Sequence, residues 1–512
     1  MYVGDYLGRR AVYTPDDMAV VDAGKTPHRS FTYSELNSRA NRLANWLRNG
    51  AGVQKGERVV MLAYDGVEYL DAFFACGKLG AVFMALNWRL HWRELASLIQ
   101  QTEPTVLIYA DDFCDKVQGI MEVCDSVRYL VHIDGNGLHG SRPYEKTLTD
   151  SVLVPVTTEN LHEEDIACLI FTGGTTGLPR GAQISHRMIA WNTLNTIIHD
   201  LQHSDVTVNS FPMFHTGGLL VYTTPLLILG GTVILTRKFD AEQVLSLIEE
   251  YAVTVYAGVP TMYQMMTAAP NWAEADMDTL RFCTSGGAPL PVQLVEQYRR
   301  EKNIQFKQGF GMSEFGPGVF ALAPADAVRK AGSIGRPNFF VDARIVDEDN
   351  NPLPPGQIGE LVLRGPSMSS GYFNDPEATE AAVDTEGWFH TGDVAVADDN
   401  WYFRIVDRKK DLFISGGEKI YPTEIETILY KHPAVHMCAV VGVPDEKWGE
   451  VGKAFVVVKE GETITTDELN AHMQHYLAGF KVPKAVEIVD SLPISGAGKI
   501  LKRELLERET TG

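Results

Sequence analysis

Between Thr32 and about residue 400 the sequence alternates two hydrophobic periodicities, and this alternation restricts the fold more than any other feature. Ser34 to Asn49 carries apolar residues at Leu36, Ala40, Leu43 and Leu47, the spacing of one helix face, and Thr32 with Glu35 three residues on supplies an N-terminal cap. Arg58 to Ala63 and Thr105 to Tyr109 are short apolar runs that read as strands, with a second helical pattern at Tyr69 to Leu79. Strands that alternate with helices pack as largely parallel sheets covered by helical layers, so the expected class is α/β. Leu219 to Leu235 is the most hydrophobic run, yet Pro225, Gly230 and Gly231 interrupt it and it falls short of the roughly 20 residues of a membrane span. It reads as a core helix, a Gly-Gly turn and a strand, and no integral membrane segment is expected.

After Gly332 the texture changes. Val341 to Val346, Gly359 to Arg364 and Trp401 to Val406 look like strands separated by Pro, Gly and Asp turns, which predicts a β-rich subdomain over about 332–407. A charged joint, Asp407 to Asp411, precedes a segment with its own pattern: helix near Thr423 to Tyr430, strands near Ala439 to Val443 and Lys453 to Val458, helix near Thr466 to Leu477. The expected organisation is a large N-terminal domain of α/β layers, 1–407, and a small α+β domain, 408–512. With 512 residues the chain exceeds a single hydrophobic core, which agrees with that division.

The run Phe171-Thr172-Gly173-Gly174-Thr175-Thr176-Gly177-Leu178-Pro179-Arg180-Gly181 follows the apolar strand Ile166 to Phe171 and concentrates glycines, hydroxyls and one cation. Glycine lets backbone N–H groups approach phosphate oxygens, the threonines add donors and Arg180 adds fixed charge. The Gly-x-x-x-x-Gly-Lys-Ser/Thr spacing of a Walker loop is missing, and taken alone such a run is equally a plain turn. The formal charge of −21 argues against nucleic acid as a partner, because phosphate backbones demand clustered Lys and Arg. Six scattered cysteines without a Cys-x-x-Cys pair read as reduced core thiols, and the start shows no basic region leading into an apolar one, so a cytoplasmic protein is expected.

Further motifs follow in order: Ser285-Gly286-Gly287-Ala288-Pro289, Gln308-Gly309-Phe310-Gly311-Met312-Ser313-Glu314, Trp388-Phe389-His390-Thr391-Gly392-Asp393, Asp407-Arg408-Lys409-Lys410-Asp411 and Pro493-Ile494-Ser495-Gly496-Ala497-Gly498-Lys499-Ile500. Together they resemble the adenylate-forming superfamily of acyl-CoA synthetases, firefly luciferases and peptide-synthetase adenylation domains, from about Phe31 to Leu506. The resemblance implies an enzyme that activates a carboxylate with ATP as acyl-AMP and passes the acyl group to coenzyme A. It makes the 1–407 part the adenylation domain and 408–512 a mobile lid.

The same resemblance assigns residues. Thr172, Gly173, Gly174, Thr175, Thr176, Gly177 and Arg180 would hold the phosphates. Arg180 stands where the family usually has lysine; on charge alone Arg180→Lys is expected to retain most activity, although the planar guanidinium makes contacts an ammonium does not. Glu314 matches the family's magnesium ligand, a hard oxygen donor suited to Mg²⁺. Ser313 keeps the usual threonine's hydroxyl for the α-phosphate. Gly286, Gly287, Ala288, Phe310 and Gly311 match the adenine site, and Asp393 with Arg408 the ribose site.

Lys499 matches the lysine that stabilises charge at the reacting phosphorus, Lys410 the hinge, and His215 the histidine beside the acyl carboxylate. Gly416 and Gly417 match the loop lining the pantetheine tunnel; Trp448, Phe480 and Lys484 match weaker positions at the CoA nucleotide, since Trp and Phe are core residues more often than ligand clamps. Thr216, Gly217, Gly218 and Gly309, with His215, suggest a roomy apolar acyl pocket.

The expected substrate is a small-molecule carboxylic acid, most simply a fatty acid, with a hydroxycinnamate or other aryl acid as the alternative. A carrier-loading adenylation enzyme and a catalytically silent nucleotide-binding regulator are the remaining readings. A homodimer is left open.

Overall fold

The computed structural model describes residues 2–158, 160–172, 179–415, 418–494 and 500–511, and every structural statement concerns these. Gly173, Gly174, Thr175, Thr176, Gly177, Gly416, Gly417 and Lys499 lie outside them. The chain divides into two compact units, one of Met1–Asp342 with Arg364–Phe389, the other of Ala343–Leu363 with His390–Gly512.

In the first unit the helix Tyr33–Asn49 begins as the sequence predicts: Thr32 Oγ1 accepts from Glu35 N at 3.2 Å and Glu35 Oε2 accepts from Thr32 N at 2.8 Å. Its face of Leu36, Ala40, Leu43 and Leu47 is buried. The helix Val67–Leu79 is buried on every side, as a helix sandwiched between layers must be.

A seven-stranded sheet runs Arg142–Pro143, Tyr129–Ile133, Val106–Ala110, Arg58–Leu62, Val82–Ala85, Ile166–Thr172, Arg180–Ser185. All its pairs are parallel except the last, where Thr172 stands opposite Arg180. The glycine-rich run therefore joins two antiparallel strands, and no helix start follows it.

Two further sheets continue the pattern. Val255–Gly258, Phe282–Ser285 and Phe306–Gly311 are parallel, extended by antiparallel Gly318–Leu322 and Arg336–Pro337. Val206–Asn209, Thr232–Leu235 and Met18–Asp22 are parallel, with Arg29–Thr32 antiparallel at the edge. The hydrophobic run after Gly217 is a single π turn, Gly217–Val221, then the helix Thr223–Leu229, Gly230 at φ 104° and the strand Thr232–Leu235. Among the described residues no helix is long and apolar enough to cross a membrane. The cysteines are unpaired in disulfides, five buried and Cys114 half-buried, and burial raises the thiols of Cys76, Cys168, Cys283 and Cys438.

The second unit is β-rich, then α+β. Its first sheet orders Asp342–Val346, Ile358–Arg364, Phe389–Ala397 and Phe403–Arg408. The last strand starts later than the sequence suggests, because Trp401 at φ 64° belongs to a turn closed by Asp398 N donating to Tyr402 O at 3.0 Å. The second sheet is built on the hairpin Val435–Asp445 with Gly449–Val458, joined by Phe413–Ser415, Glu418–Ile420 and Ala485–Ile488. Helices Pro422–Leu429 and Thr466–Tyr476 accompany it. The hairpin is longer than its apolar runs imply, carrying Pro444 opposite Glu450 near its end. The chain is of the α/β class expected.

Candidate active site

In the first unit the expected site residues stand at the carboxyl ends of parallel strands, where open α/β sheets present loops to ligands. Phe282–Ser285 delivers Gly286, Gly287 and Ala288, the last two exposed, and Gly287 at φ 79° occupies the left-handed region that glycine tolerates. Phe306–Gly311 ends in Gly309, Phe310 and Gly311, and Phe310 meets Phe320 edge-on at 5.8 Å, which fixes its ring. A side chain at Gly311 would collide with the backbone carbonyl of Pro317, so this glycine serves close strand approach.

One 3-10 turn, Ser313–Phe315, then carries Glu314. Tyr372 Oη donates to Glu314 Oε1 at 2.9 Å, and Ser369 N donates to Glu314 O at 2.8 Å. Burial, and then the Glu314 charge, push the Tyr372 phenol far above its usual range, so it stays a donor. Ser313 Oγ lies 3.4 Å from Thr216 Oγ1. Among the described residues no three His, Cys, Asp or Glu side chains group to hold a metal. One half-buried carboxylate beside hydroxyls fits Mg²⁺, which keeps its waters and binds through one or two carboxylates plus phosphates.

Arg180 opens its strand with Nε 3.1 Å from Asp375 Oδ2 and its guanidinium carbon 5.7 Å from the Tyr372 ring centre. Thr172 Oγ1 donates to the carbonyl of Arg180 at 3.4 Å.

On the acyl side, Val206–Asn209 leads into the segment 211–218. Asp65, at the end of another parallel strand, accepts from Met213 N through both oxygens at 3.1 Å. Burial raises this carboxyl well above the ordinary carboxylate range. His215 packs against Phe214 with ring centres 4.7 Å apart, and its carbonyl accepts from Gly218 N and Leu219 N. Thr216 is buried.

The glycines divide. A side chain at Gly217 or Gly309 would meet its nearest neighbours only at about van der Waals distance, 3.9 Å from the Phe211 ring and 3.9 Å from Thr284 Cγ2 respectively. At Gly218 it would strike the carbonyls of Phe211 and Pro212. The expectation that Gly218 adds pocket room is thus corrected: the absent side chain there lets two backbone segments touch.

Beside Gly309 lies a feature the sequence reading missed. Tyr222 Oη and Thr284 Oγ1 are 2.5 Å apart, and Tyr222 is buried. Tyr222 comes directly after the π turn that follows His215, and its nearness in sequence to the His215 motif is the signal that could have marked it. Asp375 was missed too, though Asp before Pro-Glu is an N-cap signature: its Oδ1 accepts from Ala378 N at 3.0 Å at the start of the helix Pro376–Ala382.

In the second unit Asp393 and Arg408 are direct cross-strand partners, with Arg408 Nε 2.6 Å from Asp393 Oδ1. Asp393 is buried and Arg408 is exposed. Lys410 is exposed in the turn after that strand, and Asp407 Oδ2 accepts from Thr423 N at 2.8 Å across it. Trp448 and Phe480 are exposed, with Lys447 Nζ 4.7 Å and Lys481 Nζ 5.9 Å from their ring centres, which excludes the core reading for both. Lys484 is exposed, and its N donates to Gly452 O at 2.8 Å.

Family models match twice: AMP-binding enzyme over residues 7–373 and AMP-binding enzyme C-terminal domain over residues 424–499. The chain is 43% identical over 507 residues to a feruloyl-CoA synthase of an Amycolatopsis species, covering 99% of each. It is 37% identical over 514 residues to an indoleacetate–CoA ligase of Aromatoleum aromaticum, covering 100% of this chain and 99% of that protein. Among solved structures, a fatty acyl CoA synthetase of Mycobacterium tuberculosis matches with TM-score 0.81 at 32% identity, covering 100% of this chain and 98% of the other.

Proposed function

The chain belongs to the AMP-binding enzyme family, and from that premise we propose that it joins a ring-bearing carboxylic acid of the hydroxycinnamate type to coenzyme A. Its class, an AMP-forming acid–thiol ligase using ATP and coenzyme A, follows from the family and from relatives named as CoA ligases and synthases. The finer reading rests on one observation: next to Gly309, where a side chain would come within 3.9 Å of Thr284 Cγ2, stands the part-buried Tyr222–Thr284 hydroxyl pair. The two hydroxyls bond each other, yet the pair keeps one further O–H donor and spare lone pairs, which a ring hydroxyl can engage and an alkyl chain cannot. The name of the feruloyl-CoA synthase points the same way. This reverses the order taken from the sequence, in which fatty acids came first; they stay as the second reading, supported by likeness to the fatty acyl CoA synthetase.

In the proposed mechanism a carboxylate oxygen of the acid attacks the α-phosphorus and pyrophosphate leaves. Lys499 stabilises the developing charge there, a role carried from the motif, since that residue lies outside the described ones. Gly286 to Ala288 and Phe310 hold the base, and Asp393 with Arg408 the ribose. Glu314 would hold Mg²⁺, which supplies neutralising charge for the phosphates. The thiol of coenzyme A then attacks the acyl carbon and AMP leaves. We assign Lys410 as the hinge of a lid that exchanges Lys499 for the thiol channel lined by Gly416 and Gly417, with Trp448, Phe480 and Lys484 at the CoA nucleotide.

The test is pyrophosphate release with ATP across fatty acids of increasing length, benzoates, and cinnamates with and without a ring hydroxyl. A 4-hydroxycinnamate should give the highest kcat/KM. A long-chain fatty acid with a kcat/KM above every aryl acid would overturn the reading.

A further inference from the structure

We propose that Arg180 and Asp375 act as one unit on the nucleotide polyphosphate, with Asp375 a positioning residue that holds the guanidinium by its Nε while the terminal nitrogens serve phosphate oxygens. The proposal rests on the reading of Arg180 as a phosphate ligand and explains why this chain carries arginine where the resembled family usually carries lysine.

Asp375 is a fixed point. Its Oδ1 caps the helix Pro376–Ala382 through Ala378 N, and its neighbours are zipped to the strand that Arg180 opens: Phe373 N donates to Gly181 O at 2.8 Å, and Gln183 N donates to Gly371 O at 3.0 Å. With Oδ1 so engaged, Oδ2 meets Arg180 Nε at 3.1 Å. The Tyr372 ring, 5.7 Å from the guanidinium carbon, supports the cation from a second side. Both partners of the ion pair are about one-third exposed, 33% and 34%, so the pair does little for stability, and its value lies in orientation.

An arginine has five N–H donors in a rigid fork and can engage a carboxylate through Nε while keeping its terminal donors for a second anion. A lysine is a single point of charge on a flexible stem. Beside Asp375 it would be drawn to the carboxylate at the expense of phosphate. On this proposal lysine at 180 would serve less well than charge alone suggests.

The experiment is a double-mutant cycle on the full chain with Arg180→Lys, Asp375→Asn and both changes, reading the Kd of Mg·ATP by equilibrium dialysis and, with a turned-over acid, KM for ATP against KM for coenzyme A. Asparagine keeps the helix-capping acceptor and removes the charge, and thermal melts verify that each variant is folded. Each single change should weaken ATP binding about fivefold, and Asp375→Asn should have no further effect in the Arg180→Lys background, with KM for coenzyme A unmoved. Additive effects, an unchanged Kd in Asp375→Asn, or tighter ATP binding in that variant would overturn the proposal; the last would show that Asp375 competes with phosphate. Because the dialysis needs no acid substrate, failure of the hydroxycinnamate reading leaves this cycle fully decisive.

Discussion

Tyr372 donates its phenolic proton to Glu314 Oε1 across 2.9 Å, although the two residues are far apart in sequence. The contact fixes the orientation of the carboxylate, and in the proposed role of Glu314 as a Mg²⁺ ligand Tyr372 would be the group behind the ligand. Tyr372→Phe keeps the ring under Arg180 and removes only this donor. The Mg²⁺ concentration for half-maximal pyrophosphate release should rise about tenfold, with the rate at saturating Mg²⁺ largely retained. An unchanged Mg²⁺ titration would show that the contact does not position Glu314.

The hydroxyl pair beside Gly309 gives a second test. Tyr222→Phe removes one hydroxyl and keeps the ring. It should lower kcat/KM for 4-hydroxycinnamate about tenfold, the worth of one hydrogen bond, and leave unsubstituted cinnamate nearly untouched. Kinetics on the two acids side by side check this; equal losses on both would remove the pair from substrate recognition.

Lys499→Ala separates the two half-reactions. Loss of a cation acting only at the reacting phosphorus typically costs on the order of 10²–10³ in rate, so adenylation should collapse. Chemically supplied acyl-AMP no longer needs that cation, and its conversion with coenzyme A should survive. Pyrophosphate exchange and acyl-AMP consumption are measured separately on the variant, and equal loss of both would withdraw the assignment.

His186 gives a stability prediction. Its Nδ1 accepts from Val3 N at 3.2 Å, so the ring is neutral, and burial pushes its pKa down from 6.5 to about 4. The unfolded chain then binds a proton more readily than the folded one. The stability due to neutral His186 is present above pH about 6.5 and is lost as pH falls toward 4, on the order of 3 kcal/mol in all. Thermal melts of wild type and His186→Gln at pH 7.5, 6 and 5 should show the wild type losing more, with carboxylate effects cancelling in the difference. A difference independent of pH would rule out the buried neutral ring.

Much of the fold was legible because it is written in local periods. The Thr32–Glu35 cap, the strand at Arg58 and the turn at Gly230 each depend on residues within a few positions of one another, and each appears where the pattern put it. The ordered motifs located Asp393 and Arg408, and the sheet then made them cross-strand partners, a register that spacing alone does not give.

What the sequence by itself determined is the class of fold and the family, because backbone periodicity and ordered motifs are local properties. Only tertiary structure decided that a side chain at Gly218 would strike backbone carbonyls while one at Gly217 or Gly309 would meet only ordinary contacts, that Tyr222 meets Thr284, and that Asp375 pairs with Arg180. Each is a meeting of segments distant along the chain. A glycine reads the same in sequence whether its missing side chain admits a ligand or a neighbouring carbonyl, and a cation reads the same whether or not a helix cap has already claimed one of its edges; packing alone separates these cases.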